Sequence, residues 1–272
     1  MDDSKGLLLG KHTPVVEVYS PELLYPIPRE IARGTIGLSD SLPFAGVDLW
    51  HAYELSWLDG TGKPVVRVGR FSVPATTPNI VESKSFKLYL NSLNNHRFES
   101  PESAKRCMET DVSEAAGGAV TLELFGVGDA QLAGADLCGI ALDELEISPQ
   151  STQPDASNLI VDPGAIKEEV LYTHLLRSLC PVTGQPDWAT LWIHYKGAAL
   201  DHSSLLSYII SYRQHQEYHE QCVERMFLDI SSRIQPEFLH IQAFYTRRGG
   251  MDINPFRSTN STAIPQPRLN RQ

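Results

Sequence analysis

Residues 82–96 (ESKSFKLYLNSLNNH) align without gaps on residues 201–215 (DHSSLLSYIISYRQH), with Ser85/Ser204, Tyr89/Tyr208, Ser92/Ser211 and His96/His215 identical. A Thr-Gly-x-Pro turn recurs upstream of each block at nearly the same distance, at 61–64 and again at 183–186. Four identities alone carry little weight. A second matched element at matched spacing implies internal duplication, so the chain reads as two copies of one module. The Pro/Ser/Gln-rich stretch near 148–158 lies between them and has the composition of a linker. The expected boundaries are 1–147 for the first module, 148–164 for the linker and 165–272 for the second.

Hydrophobic spacing assigns the elements. The aligned blocks place Phe86, Tyr89, Leu90 and Leu93, and Leu205, Tyr208, Ile209 and Tyr212, at helical intervals. Strand-like runs flank the turns at 65–68, 71–73 and 189–195, and further strands are expected at 120–125 and 238–245. Each turn then closes a hairpin, and each module reads as hairpin, helix, helix, strand, an α+β class built twice. The polar, Pro-punctuated residues 258–272 are expected to form an extended arm or disorder.

Charge and cysteine usage exclude several functions. A net charge of −10 has the wrong sign for a protein that gains affinity from the nucleic-acid backbone. The first residues, MDDSKGLLLGKHTP, hold no signal-peptide pattern, and no run approaches a membrane span of ~20 apolar residues. Four cysteines at 107, 138, 180 and 222 form no CxxC pair, which fits free thiols in a reducing, cytoplasmic compartment.

Cys180 opens CPVTGQPDW, with Asp187 seven residues on. If the turn is a hairpin, its two ends return together and set a nucleophilic thiol near a proton donor. The alternative is a buried structural cysteine beside an exposed turn carboxylate. By the turn alignment the first module carries Leu58 and Val65 at these places, so only the second has the reactive pair. His219-Glu220 follows the second helical block, and a carboxylate there can accept two N–H groups from a guanine-like edge. His215, His219 and Cys222, at i, i+4 and i+7 of one assumed helix, also suit zinc. Lys84 and Lys87, together with Arg247-Arg248-Gly249-Gly250, are suited to cofactor phosphates. Gly126-Val127-Gly128 fails as a dinucleotide fingerprint because Gln131 stands at the third glycine position.

The segments ESKSFKLYLNS (82–92), LCPVTGQPDWATLWIHY (179–195), YRQHQEYHE (212–220) and RRGGMDINPFR (247–257) closely resemble the NADPH-dependent 7-cyano-7-deazaguanine reductases, the nitrile reductases of queuosine biosynthesis, in their two-module form. The resemblance implies tandem tunnelling-fold modules, with antiparallel sheets bearing helices on one face and assembling into a barrel, and a homodimer. It makes Cys180 the nucleophile that forms a thioimide with the nitrile, and Asp187 the proton donor. It implies substrate contacts from Val81, Glu82, Ser83, His219 and Glu220, and an NADPH site at Ser83, Lys84, Arg248 and Gly249, with no metal. On the resemblance, the first module kept ESKSFK while its His-Glu counterpart became Phe98-Glu99-Ser100. Two rivals remain at this level: a zinc-dependent pterin or purine hydrolase on the same fold, and a non-catalytic deazapurine-binding module.

Overall fold

The computed structural model describes residues 16–39, 41–148 and 151–272. The leader reading rested on residues 1–14, which lie outside the described residues, as do Pro149 and Gln150 of the linker stretch. The chain divides into two compact units. The first falls within residues 1–39, 48–132 and 247–252, the second within 40–47, 133–246 and 253–272. The class is α+β, as expected.

In chain order, the first unit contains β1 (Pro26–Pro28), α1 (Arg29–Thr35), most of β2 (Ala45–Leu58), β3 (Pro64–Pro74), β4 (Asn79–Val81), α2 (Ser83–Ser92), α3 (Pro101–Ala116) and β5 (Thr121–Phe125). Strands run in the order β5-β3-β2, and β1 pairs with β4 separately. The two runs read at 65–68 and 71–73 are one strand, β3, because the intervening Gly69 and Arg70 continue the antiparallel ladder opposite Leu124 and Glu123. Trp50, Phe71 and Phe86 meet edge to face, with ring centroids 5.2 and 5.1 Å apart, at the centre of this unit's core.

The second unit holds β6 (Ile140–Ala141), β7 (Val161–Leu179), β8 (Pro186–Leu200), α4 (His202–Ile210), α5 (His219–Ile234), β9 (Phe238–Tyr245) and most of β10 (Met251–Ser258). Its strand order is β10-β9-β8-β7-β6, antiparallel except for the short β6–β7 pair. Along β8 the period of two sends Ala189, Leu191, Ile193 and Tyr195 into a fully buried layer. The apolar stripe of α5, Val223, Met226, Phe227 and Ile230, is equally buried. The last residues form a seated arm. Leu269 packs with Trp192, Phe244 and Phe256, while Gln266 exchanges hydrogen bonds of 2.7 and 3.2 Å with the Gln242 side chain. Of the two states expected for 258–272, the arm is the one found; a polar composition hid the few side chains that anchor it. Among the described residues no helix is long and apolar enough to cross a membrane.

The four repeated identities perform the same tasks in both units. Ser85 and Ser204 each donate to the carbonyl of the helix N-cap, Glu82 or Asp201, and each accepts a backbone N–H at 3.0 Å, from Tyr25 or Ile160. Tyr89 and Tyr208 donate to Asp111 and Asp229 on the next helix, at 2.5 and 2.6 Å. Ser92 and Ser211 donate to the carbonyls of those tyrosines. The carbonyls of His96 and His215 accept the N–H of Leu58 and Leu179, at 2.9 and 2.8 Å. The repeat is thus a set of conserved polar fastenings for a helix pair on a hairpin.

Candidate active site

Both Thr-Gly-x-Pro turns close hairpins, and both need glycine: φ is +90° at Gly62 and +66° at Gly184. Their lengths differ, with five residues (59–63) between β2 and β3 against six (180–185) between β7 and β8. Leu58 and Leu179 occupy matching places, since each donates to the matched histidine carbonyl and each bridges the residue after it, Arg97 or Gln216. The counterpart of Cys180 is therefore Asp59, and the sequence-based pairing with Leu58 is corrected by one position. An ungapped alignment on the turn cannot register an inserted residue. Asp59 spends its carboxylate on its own turn, accepting from the Thr61 hydroxyl and from the N–H groups of Thr61 and Lys63, and the Thr61 hydroxyl chiefly holds it below its ordinary range.

Cys180 lies just past β7, where its N–H donates to Gln185 O and its carbonyl accepts from Gly184, both at 2.9 Å. Asp187 pairs with Ser178 across the ladder. Cys180, two residues beyond Ser178, is then a diagonal neighbour of Asp187 on the same face, a relation that spans ~7–8 Å between backbones and brings side chains into reach. Both residues are buried. The loop leading to His219 is tied to this spot through the Leu179 N–H on His215 O, and the His219 Nε2 lies 3.3 Å from Asp187 Oδ2. His219 and Glu220 open the first turn of α5, with Glu220 buried. The second unit thus sets His219 against Asp187, with Cys180 on the adjoining turn and Glu220 next to His219 at the start of α5.

Helix starts also revise the comparison of the halves. α3 begins at Pro101 with Ser100 as its cap, and α5 begins at His219 with Tyr218 as its cap. Pro101-Glu102 therefore stands where the second unit has His219-Glu220, rather than Phe98-Glu99-Ser100. The zinc spacing rested on one continuous helix from 215 to 222, but His215 ends a short 3₁₀ turn (Ser211–Gln214) and lies outside α5. His215 faces Glu217 at 3.1 Å instead. Burial pushes the Glu217 carboxyl up, yet His215 and Arg225 more than offset this and hold it below its ordinary range. Cys222 is fully buried, and burial pushes its thiol well up.

The first unit assembles the remaining candidates. Val81 ends β4, and Glu82 caps α2, with one oxygen accepting from Lys84 N at 3.0 Å and the other from Ser85 N at 2.7 Å. Burial raises the Glu82 carboxyl above its ordinary range despite these bonds. Ser83 and Lys84 form the first turn of α2. Arg248 and Gly249 lie in a tight turn closed by Arg248 N on Met251 O at 2.8 Å, with Gly249 and Gly250 at φ +58° and +79°. Lys87, one turn beyond Ser83, joins the two segments. A Cβ on Gly249 would come within 2.9 Å of its Nζ, a contact the flexible lysine can relieve, so it is the positive φ that favours glycine here. Arg247 stacks over the ring of Tyr53 at 3.5 Å. Lys87, read in the sequence as suited to cofactor phosphates, is absent only from the contacts that the resemblance implies.

Residues 15–124 match the family described as "Nitrile reductase, 7-cyano-7-deazaguanine-reductase N-term", and residues 186–263 match the family described as "QueF-like protein". The chain is 53% identical over 266 residues to a "NADPH-dependent 7-cyano-7-deazaguanine reductase" of Dechloromonas aromatica (strain RCB), covering 97% of this chain and 94% of the relative. A solved structure described as "Crystal structure of the archaeosine synthase QueF-Like in the apo form" aligns with 37% of this chain and 96% of its own, at 17% identity and a TM-score of 0.31.

Proposed function

The chain belongs to the NADPH-dependent 7-cyano-7-deazaguanine reductases, which reduce the nitrile of 7-cyano-7-deazaguanine to an amine in queuosine biosynthesis, and from this premise we propose that the reaction proceeds through covalent attachment of the nitrile to Cys180. The observation that carries the proposal is the hairpin end where Cys180 and Asp187 share a face while His219 Nε2 lies 3.3 Å from Asp187. The sulfur forms a bond to the nitrile carbon, and one π pair of the C≡N bond moves to nitrogen, which takes a proton from Asp187. The proton leaving the thiol returns Asp187 to its acid form, so the net change is addition of S–H across C≡N and the product is a thioimide. When the carbon later becomes tetrahedral, the C–S bond breaks and Cys180 leaves as the thiol. His219 orients Asp187, and His219 with Glu220 contacts the deazaguanine, together with Val81, Glu82 and Ser83.

Ser83, Lys84, Arg248 and Gly249 are the proposed NADPH contacts, and we add Lys87. The fit rests on the backbone turn at Gly249-Gly250, held at positive φ beside basic side chains suited to phosphate. NADPH supplies hydride there, and nitrile to primary amine takes four electrons, hence two equivalents. The same reading extends to 7-aminomethyl-7-deazaguanine as product, to two tunnelling-fold modules (1–147 and 165–272, joined by 148–164), to a homodimer assembling into a barrel and to a cytoplasmic location.

Intact mass of the wild-type chain, incubated with 7-cyano-7-deazaguanine without NADPH, tests the proposal. One adduct of the substrate's mass, lost on adding NADPH, is the expected result. Correctly folded protein without an adduct would overturn it. Replacing Asp187 by Asn should lower kcat by roughly 10²–10⁴-fold while substrate affinity stays within a few fold; an unchanged kcat would remove Asp187 as the acid.

Glu82 adds a pH dependence. Its oxygens each retain a lone pair after capping α2, so as a carboxylate it can accept from the substrate edge. A raised carboxyl takes up its proton at a higher pH than an ordinary glutamate. Substrate affinity is therefore expected to weaken as pH falls toward and through that raised value, and Glu82→Gln should bind weakly with this part of the pH dependence gone. Parallel pH profiles of KM in the wild type and the variant would contradict the assignment.

A further inference from the structure

Tyr245, the last residue of β9, is fully buried, and its ring lies parallel to the His219 imidazole, with centroids 3.7 Å apart and planes 9° from parallel. The tyrosine itself is held on two sides. Its N–H donates to Asn254 Oδ1 at 3.0 Å, and on β8 it pairs with Ala189, two residues from Asp187. Asp187 and Tyr245 are thus set by one stretch of ladder, and His219 arrives between them from the start of α5. The imidazole is short of other restraints: its Nδ1 is buried and makes no hydrogen bond. A ring anchored at one nitrogen can still turn about the bond that carries it. A flat aromatic face against it removes that freedom.

We infer that Tyr245 is a positioning residue for nitrile addition, its ring fixing the plane of His219 so that Nε2 stays on Asp187 when substrate enters. The inference rests on the roles given above to Asp187 and His219. It assigns work to the aromatic face and none to the hydroxyl, which lies toward Ser178 and Cys222 rather than the imidazole. Preorganisation of this kind acts on the rate of the chemical step, because a misplaced acid costs rate even when substrate binds.

The test is the rate of adduct formation without NADPH, followed by intact mass on quenched samples, with substrate affinity measured alongside. Tyr245→Phe keeps the face and is expected within about threefold of wild type, whereas Tyr245→Leu should be about tenfold slower at unchanged affinity. In a His219→Ala background, Tyr245→Leu should slow the reaction no further, since residues acting through one another are not additive. Equal slowing by Tyr245→Leu in both backgrounds would mean general packing and overturn the inference. So would an unaffected Tyr245→Leu, or a tenfold loss in Tyr245→Phe, which is decisive even if the leucine variant does not fold. A wild-type protein without adduct defeats the underlying mechanism, and this inference with it. A wild-type adduct with an indifferent Tyr245 defeats this inference alone.

Discussion

Cys180→Ala is expected to abolish the covalent adduct and to lower kcat/KM by at least about 10⁴-fold, while 7-cyano-7-deazaguanine still binds. The size follows from what is lost. The thiol is the only proposed group that forms a bond to the nitrile carbon, and a methyl in its place leaves binding and proton delivery without a nucleophile. Cys180 is buried beside the turn, with its backbone N–H and carbonyl committed to Gln185 and Gly184, so truncation should leave the hairpin intact. Titrating the variant with substrate and assaying NADPH oxidation separates the outcomes. Tight binding without turnover supports the role; turnover within tenfold of wild type would make the thiol structural and return the site to a non-covalent mechanism.

The second large effect concerns stability. Arg257 is fully buried, and its Nε and Nη2 donate to Glu224 Oε1 at 3.1 and 2.8 Å, while Nη1 donates to Phe256 O at 2.9 Å. Its guanidinium also lies 5.5 Å from the centre of the Phe44 ring. The surroundings admit little relaxation, since a Cβ at Gly46 would meet Phe256 O at 2.2 Å and Arg257 Cδ at 2.9 Å. Removing the carboxylate takes two charge-assisted hydrogen bonds from a guanidinium in a closed space, so Glu224→Ala should destabilise the protein by about 3–5 kcal/mol. Replacing both partners, as in Glu224→Leu with Arg257→Met, should recover much of this, because the pair also carries a desolvation cost. Urea unfolding of the full chain reads both values. A loss below about 1 kcal/mol in the single variant, or a double variant no better than the single, would contradict this account.

Several elements were legible before any coordinates. α2 and α4 announce themselves by apolar spacing, and Glu82 and Asp201 cap them through side-chain bonds within three residues. The hairpin around Gly184 is equally local, so the nearness of Cys180 and Asp187 followed from the turn alone. Errors arose where one residue or one helix boundary decided the matter. Asp59, and not Leu58, stands opposite Cys180 because the second turn is one residue longer. His215 is off the helix that the zinc spacing required.

The sequence by itself determined the duplicated α+β plan, the family, and the thiol and carboxylate at one hairpin end, because each is written in contacts a few residues apart or in motifs read directly. Tertiary structure alone decided that His219 meets Asp187 and that Tyr245 covers its ring. Those meetings join residues tens of positions apart, through the β8–β9 register and the point where α5 enters. The apolar alternation of FLHIQAFY marks Tyr245 as buried but does not say against what, since periodicity records which face is inward and carries no information about the partner across the core.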